Sequence, residues 1–171
     1  TRYGTVTGVQ TCALPICDVT LERAKIKPAQ VWGTLMPNSG VAYIRIAQFH
    51  AQVEAQLEET LERLAKESGG SLKGVVLDLR DNPGGYLHQA VAVVDRFINE
   101  GVIVSTVERN GRNREEKQAR ADGTEPNYPM VILMSGTSAS ASEIVAGALK
   151  NQEDRKSTRL NSSHSSVSRM P

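Results

Sequence analysis

The sequence is poor in aromatic residues, cysteine and long apolar runs, and its charges nearly cancel. Aromatic residues make up 4% of the 171 residues, and there are 2 cysteines. The balance of 20 Lys and Arg against 19 Asp and Glu argues against a strongly basic nucleic-acid-binding protein. No apolar run reaches the roughly 18 residues of a transmembrane helix, and Thr1 to Ile16 lacks a signal-peptide pattern. Composition predicts a globular chain with no membrane span and no nucleic-acid partner.

The two ends of the chain are related to each other at the level of DNA. Val6 to Ile16 can be back-translated into DNA whose reverse complement encodes Asp154 to His164 without a mismatch. This DNA is similar to a common sequencing-library adapter. We therefore expect residues 1–17 and 154–171 to be adapter-derived and residues 18–153 to be the biological segment.

This interpretation changes what the net charge and the cysteine content indicate. Without the ends, the net charge changes from +1 to −3. Cys12 lies inside the adapter string and Cys17 borders it, so cysteine indicates neither a disulfide framework nor a metal site.

Short apolar runs alternate with helical periodicity between the two ends. The runs end at turn residues such as Gly69-Gly70, and the charged stretch 108–127 is expected to form an exposed hairpin. Alternation of this kind favours a layered α/β fold with a mostly parallel sheet. Strands are predicted at 41–46, 74–79, 102–107 and 130–134, and helices at 53–64, 87–98 and 144–149.

Two predicted strand-to-helix turns carry the residues best suited to chemistry. Arg80 to Gly85 ends in paired glycines, which let backbone N–H groups approach a ligand, and Ser135 to Glu143 is rich in small hydroxyl residues. Each has a purely structural interpretation, as a tight turn and as a capping box of Ser140 with Glu143. Together they match an oxyanion hole beside an exposed nucleophile.

The motifs resemble those of one enzyme family. Leu77 to Gly85, read with Val131 to Ile144, resembles the carboxyl-terminal processing, or tail-specific, serine proteases. Val41 to Phe49 is similar to the opening strand of their protease core, and Val19 to Ala24 to the last strand of a preceding PDZ domain. The resemblance implies a truncated crotonase- or Clp-protease-like core at 28–153 and a PDZ remnant at 18–27.

The resemblance also assigns site residues. It places the nucleophile at Ser140 and the oxyanion hole at the backbone N–H of Ala141 together with that of Gly85 or Gly84. The family's general base is a lysine on a later Gly-Lys-Gly-type segment, which this chain lacks, since neither Lys150 nor Lys156 matches it. We therefore expect the chain as written to be inactive.

The wider properties implied are those of the family. Substrates would be proteins or peptides with apolar C-termini, recognised by the PDZ domain, and no cofactor or metal would be needed. The parent protein would be periplasmic or otherwise extracytoplasmic, held near the inner membrane.

Three alternatives stay open. A catalytic triad could combine Ser140 and His88 with Asp78 or Asp81. The fold could belong to a crotonase-like enzyme acting on acyl-CoA. A non-catalytic module could bind an extended peptide at a sheet edge while Ser140 merely caps a helix.

Two further features are expected to be structural. Trp32, the single tryptophan, is predicted to anchor the segment that precedes the core. Glu54, Glu58, Glu59 and Glu62 are predicted to form a solvated helix face.

Overall fold

A computed structural model describes residues 29–108, 111 and 113–150. The expected adapter segments and PDZ remnant lie outside these residues. The predicted alternation of strands and helices is confirmed within them. The elements in chain order are β1 (Val31–Leu35), β2 (Val41–Ile46), α1 (Val53–Glu67), β3 (Gly74–Asp78), α2 (Leu87–Asp95), β4 (Val102–Val107), β5 (Arg114–Gln118), β6 (Met130–Leu133) and α3 (Ala141–Lys150).

Four of the strands form one sheet in the order β1-β2-β3-β6. Strands β2, β3 and β6 are parallel, whereas β1 pairs with β2 antiparallel. The mostly parallel α/β sheet predicted from the sequence is therefore present. Strands β4 and β5 form a separate antiparallel hairpin, so the charged stretch 108–127 supplies only one of its strands, β5, and not a hairpin of its own. Every residue of β5 is exposed.

Strand β1 was not predicted. Trp32 lies within β1, opposite Arg45 of β2, and is 50% exposed, while the segment that it was expected to anchor lies outside the described residues. Contact with α1 is made at Gly33. A Cβ there would lie 2.4 Å from Thr60 Cγ2 and 2.9 Å from Leu64 Cδ1, so the close packing of the helix on β1 requires glycine.

Helix α1 packs through an apolar stripe at helical spacing. Val53, Leu57, Leu61 and Leu64 are buried, and each leucine contributes about 2 kcal/mol through removal from water. The alternate residues of β2 are also fully buried, namely Ala42, Ile44 and Ile46. The core therefore lies on one side of the sheet and leaves the ends of the parallel strands open for the site.

The predicted solvated face of α1 is solvated only in part. Glu54 and Glu58 form ion pairs with Arg96, which follows α2 and whose side chain is 14% exposed. Glu59 and Glu62 are exposed as expected. The two inner carboxylates thus connect α1 to α2.

No helix within the described ranges is long and apolar enough to span a membrane.

Candidate active site

Two loops meet at the carboxyl edge of the parallel strands. One follows β3 and the other follows β6, and because these strands are neighbours and parallel, their ends lie side by side. The Asp81 carboxylate accepts hydrogen bonds from Thr137 Oγ1 at 2.6 Å and from Ser135 Oγ at 3.2 Å. Ser138 Oγ donates to the Leu79 carbonyl at 2.7 Å. These bonds hold the two loops together.

The loop after β3 is shaped by Asn82, which is fully buried. Its Oδ1 accepts the Gly84 N–H at 2.8 Å, and its Nδ2 donates to the Ile46 carbonyl at 2.9 Å. The Gly84 N–H is therefore used within the loop. An Asn before Pro-Gly is typical of such side-chain-to-backbone turns, so the sequence contains a local signal for this role of Asn82.

The second glycine is fixed against the chain that follows β2. Gly85 forms a parallel bridge with Phe49, in which Phe49 N–H donates to the Gly84 carbonyl and Tyr86 N–H to the Phe49 carbonyl, at 2.9 and 2.8 Å. A Cβ on Gly85 would lie 2.3 Å from the Phe49 carbonyl oxygen. Only glycine fits here.

Ser140 lies at the turn into α3 with an unusual backbone. Its φ of 53° is left-handed, a conformation that costs a non-glycine residue about 1–2 kcal/mol. The Ser140 N–H donates to Glu143 Oε2 at 2.9 Å, so one half of the predicted capping box is present. The other half is not, because Ser140 Oγ has no hydrogen-bond partner in the described part of the chain. The hydroxyl belongs to an exposed residue.

Two backbone N–H groups of these loops are also without acceptors among residues 29–108, 111 and 113–150. They are those of Gly85 and of Ala141, the first residue of α3. Gly84 brings the two loops into contact, since a Cβ on it would lie 2.9 Å from both Ser140 Cβ and Ala141 N. The arrangement places the Ser140 hydroxyl and the unpaired Ala141 amide at the N-terminus of α3, against the loop that carries the unpaired Gly85 amide, which suits developing negative charge.

The carboxylates of the alternative triad have other partners. Asp78 is fully buried and binds Arg80 through two side-chain contacts of 2.9 and 2.7 Å, and it also accepts the Tyr43 hydroxyl. Burial acts to raise the pKa of Asp78, but hydrogen bonds from Arg80 and Tyr43 outweigh it and hold the pKa at about 2. Hydrogen bonds from Thr137 and Ser135 likewise lower the pKa of Asp81.

The histidine of that triad is directed elsewhere as well. The His88 ring stacks on Tyr86, with ring centroids 5.4 Å apart. Within the described residues, neither a histidine nor a lysine makes a hydrogen bond to Ser140 Oγ. The three members of the triad are not joined by the hydrogen bonds of a serine–histidine–aspartate relay.

A cavity of about 240 Å³ adjoins the serine turn. Its lining combines apolar residues of β6 and α3 with polar groups, and Ser140 is not part of it. The lining residues are Ile132, Met134, Ser135, Ser138, Glu143, Ala146, Gly147 and Lys150. Among the described residues there is also no cluster of His, Cys, Asp or Glu suited to hold a metal ion.

The sequence is similar to known carboxyl-terminal processing proteases. It is 42% identical over 119 residues to the carboxy-terminal-processing protease of Bartonella bacilliformis, which covers 69% of this chain and 27% of that protein. It is 36% identical over 139 residues to the carboxyl-terminal-processing protease of Synechocystis sp., which covers 80% of this chain and 31% of that protein. The chain thus spans about a third or less of these relatives.

The fold is similar to that of solved structures. A photosystem II D1 C-terminal processing protease superposes with a TM-score of 0.65 at 26% identity, over 80% of this chain and 37% of that one. A lipoprotein from Streptococcus agalactiae, at 16% identity, shares the fold with a TM-score of 0.57, over 76% of this chain and 49% of that one.

A family model covers most of the chain and includes both site loops. The model of peptidase family S41 matches residues 40–156. The chain therefore belongs to peptidase family S41, a family of serine proteases.

Proposed function

We propose that this chain carries the nucleophile and the oxyanion donors of a serine endopeptidase that processes the carboxyl-terminal regions of proteins. The observation that carries the proposal is the exposed Ser140 hydroxyl, held at a left-handed turn next to the unpaired Ala141 N–H and against the loop that carries the unpaired Gly85 N–H. A residue that only capped α3 would use its hydroxyl for the helix.

In the proposed reaction, Ser140 Oγ bonds to the carbonyl carbon of the scissile peptide while its proton passes to a base. The N–H groups of Gly85 and Ala141 donate to the oxyanion that forms. Collapse of this intermediate breaks the C–N bond, and the amine leaves with a proton. Water then hydrolyses the ester on Ser140 and restores the hydroxyl.

The described residues do not supply the general base that the proposed reaction needs. A lysine general base needs a pKa lowered by desolvation. Lys150 is exposed at the end of α3, and no hydrogen bond joins it to Ser140 Oγ. We therefore propose that the 171-residue chain alone does not turn over peptides, and that the base comes from a segment outside it.

The finer assignments rest on family membership. They are a preference for apolar substrate C-termini, recognition through a PDZ domain, and action outside the cytoplasm near the inner membrane. One of the curated relatives, from Arabidopsis thaliana, is named as chloroplastic.

A hybrid enzyme tests the proposal. Residues 40–150 of this chain would replace the matching region of the Bartonella bacilliformis relative, and cleavage of an unfolded protein with an apolar C-terminus would be measured. We expect turnover in the hybrid, loss of turnover in Ser140→Ala, and activity retained in part in Ser142→Ala. Peptide binding without cleavage, unaffected by Ser140→Ala, would favour the binding-module alternative.

A further inference from the structure

Asn82 connects the two loops of the site through both its side chain and its backbone. Its side chain bonds to Gly84 N–H and to the Ile46 carbonyl. Its own carbonyl accepts Ala139 N–H at 3.1 Å and Ser142 Oγ at 3.0 Å. Because Asn82 is fully buried, it does not itself reach a substrate.

The side-chain bond to Gly84 decides which glycine N–H is free. The Gly84 N–H is engaged by Asn82 at 2.8 Å, and the Gly84 carbonyl is engaged by Phe49 N–H at 2.9 Å. In a trans peptide unit the N–H points opposite to the carbonyl. The Gly85 N–H therefore points away from Phe49, and it has no acceptor in the described ranges.

We infer that Asn82 is a positioning residue that makes Gly85, and not Gly84, the second oxyanion donor beside Ala141. This inference rests on the proposed function. By holding Gly84 N–H, Asn82 withdraws that donor before any substrate arrives, while the bond from Phe49 N–H to the Gly84 carbonyl orients the peptide plane between the two glycines. Preorganised donors of this kind stabilise an oxyanion without having to rotate during the reaction.

The test uses the full 171-residue chain, labelled with 15N and 13C, in solution NMR. In the free protein we expect a scalar coupling across the hydrogen bond from Gly84 N to Asn82 Cγ. The probe is a peptide boronic acid with an apolar C-terminal residue, whose tetrahedral adduct with a serine places an oxygen where the oxyanion would form.

On adding the probe we expect the amide protons of Gly85 and Ala141 to shift downfield by more than that of Gly84. In Asn82→Ala, which frees Gly84 N–H, the Gly84 amide should respond as well. Ser142→Ala is the matched control, because it removes a different hydrogen bond to Asn82 and should leave the pattern of responding amides unchanged.

The outcomes separate the two claims. A Ser140-dependent adduct that shifts Gly84 and leaves Gly85 unmoved, or a free protein without the coupling from Gly84 to Asn82, overturns the role of Asn82 alone. Amide shifts that persist in Ser140→Ala overturn the proposed function, and this inference with it. If Asn82→Ala does not fold, the wild-type pattern of shifts still decides.

Discussion

Gly84 lies directly against Ser140, so that a Cβ on Gly84 would come within 2.9 Å of Ser140 Cβ. The same Cβ would lie 2.9 Å from Ala139 O and Ala141 N, both of which are backbone atoms. At this position the loop that holds the glycines touches the turn that holds the serine without an intervening side chain. Their separation is set by the absence of a side chain at residue 84.

Gly84→Ala should therefore be costly. We expect a loss of about 2–4 kcal/mol in the free energy of unfolding, because left-handed strain adds to overpacking against backbone. Gly69→Ala is the matched control, since Gly69 also has a positive φ, of 90°, but no atom within 4 Å of its Cβ. It should lose about 1 kcal/mol from strain alone. Equal losses in urea denaturation would contradict the contact with Ser140.

Because Ser140 has a strained left-handed backbone, its replacement by glycine should stabilise the fold, in contrast to Gly84→Ala. Ser140→Gly should raise the free energy of unfolding by about 0.5 kcal/mol, because relief of the left-handed strain exceeds the added entropy of the unfolded chain.

Ser138→Gly provides the contrast. It should lower the free energy of unfolding by about 1–2 kcal/mol, since the Ser138 hydroxyl is bonded to the Leu79 carbonyl and its removal leaves buried groups unpaired. Thermal unfolding of both variants would measure the difference. A destabilised Ser140→Gly would show that the turn stores no strain.

Asp78 should make the fold sensitive to acid. Its pKa is about 2 in the folded chain, below its ordinary value of 3.8. The carboxylate therefore stabilises the fold fully above about pH 4, and this contribution of about 2 kcal/mol is lost as the pH falls from about 4 towards 2.

Substitution of Asp78 or of Tyr43 tests the contribution of this carboxylate to stability in acid. Asp78→Asn should flatten the fall of stability between about pH 4 and 2. Tyr43→Phe, which removes one hydrogen bond to the carboxylate, should flatten it in part. The measurement is the free energy of unfolding in urea at a series of pH values. An unchanged slope in Asp78→Asn would show that other groups govern the acid transition.

The ion pairs of Arg96 should matter more than those on the surface of α1. Arg96→Met should lower the free energy of unfolding by about 2 kcal/mol, because Glu54 and Glu58 would lose their shared, largely buried partner. Arg63→Met removes an exposed pair with Glu67 and should change stability by less than about 0.5 kcal/mol. Chemical denaturation of the two variants compares them directly, and equal effects would contradict the bridging role.

The parallel strands and the helices were predictable because the local spacing of apolar residues indicates which positions are buried. The runs at β3 and β6 are almost continuously apolar, as expected for strands covered by helices, and α1 shows a clear apolar stripe. Strand β1 was not predicted because it is short and contains Gly33, and glycine is unfavourable in a strand. Glycine is needed there because of close packing against α1, which is distant along the chain.

The site was predictable at the level of its two motifs but not of its hydrogen bonds. The turns at Arg80–Gly85 and Ser135–Glu143 are visible in the sequence. The use of Gly84 N–H by Asn82 depends on a bond from Asn82 to Ile46, which no local pattern encodes. The pairing of Arg96 with α1 is likewise a product of packing between helices.

The central claim, that Ser140 is the nucleophile, is tested most directly by covalent capture in the hybrid enzyme. The hybrid would be treated with a peptidyl phosphonate ester that ends in an apolar residue, and the modified residue would be located by tandem mass spectrometry. We predict phosphonylation of Ser140, absent in Ser140→Ala and retained in Ser138→Ala. Modification of another residue, or peptide turnover that survives Ser140→Ala, would contradict the account.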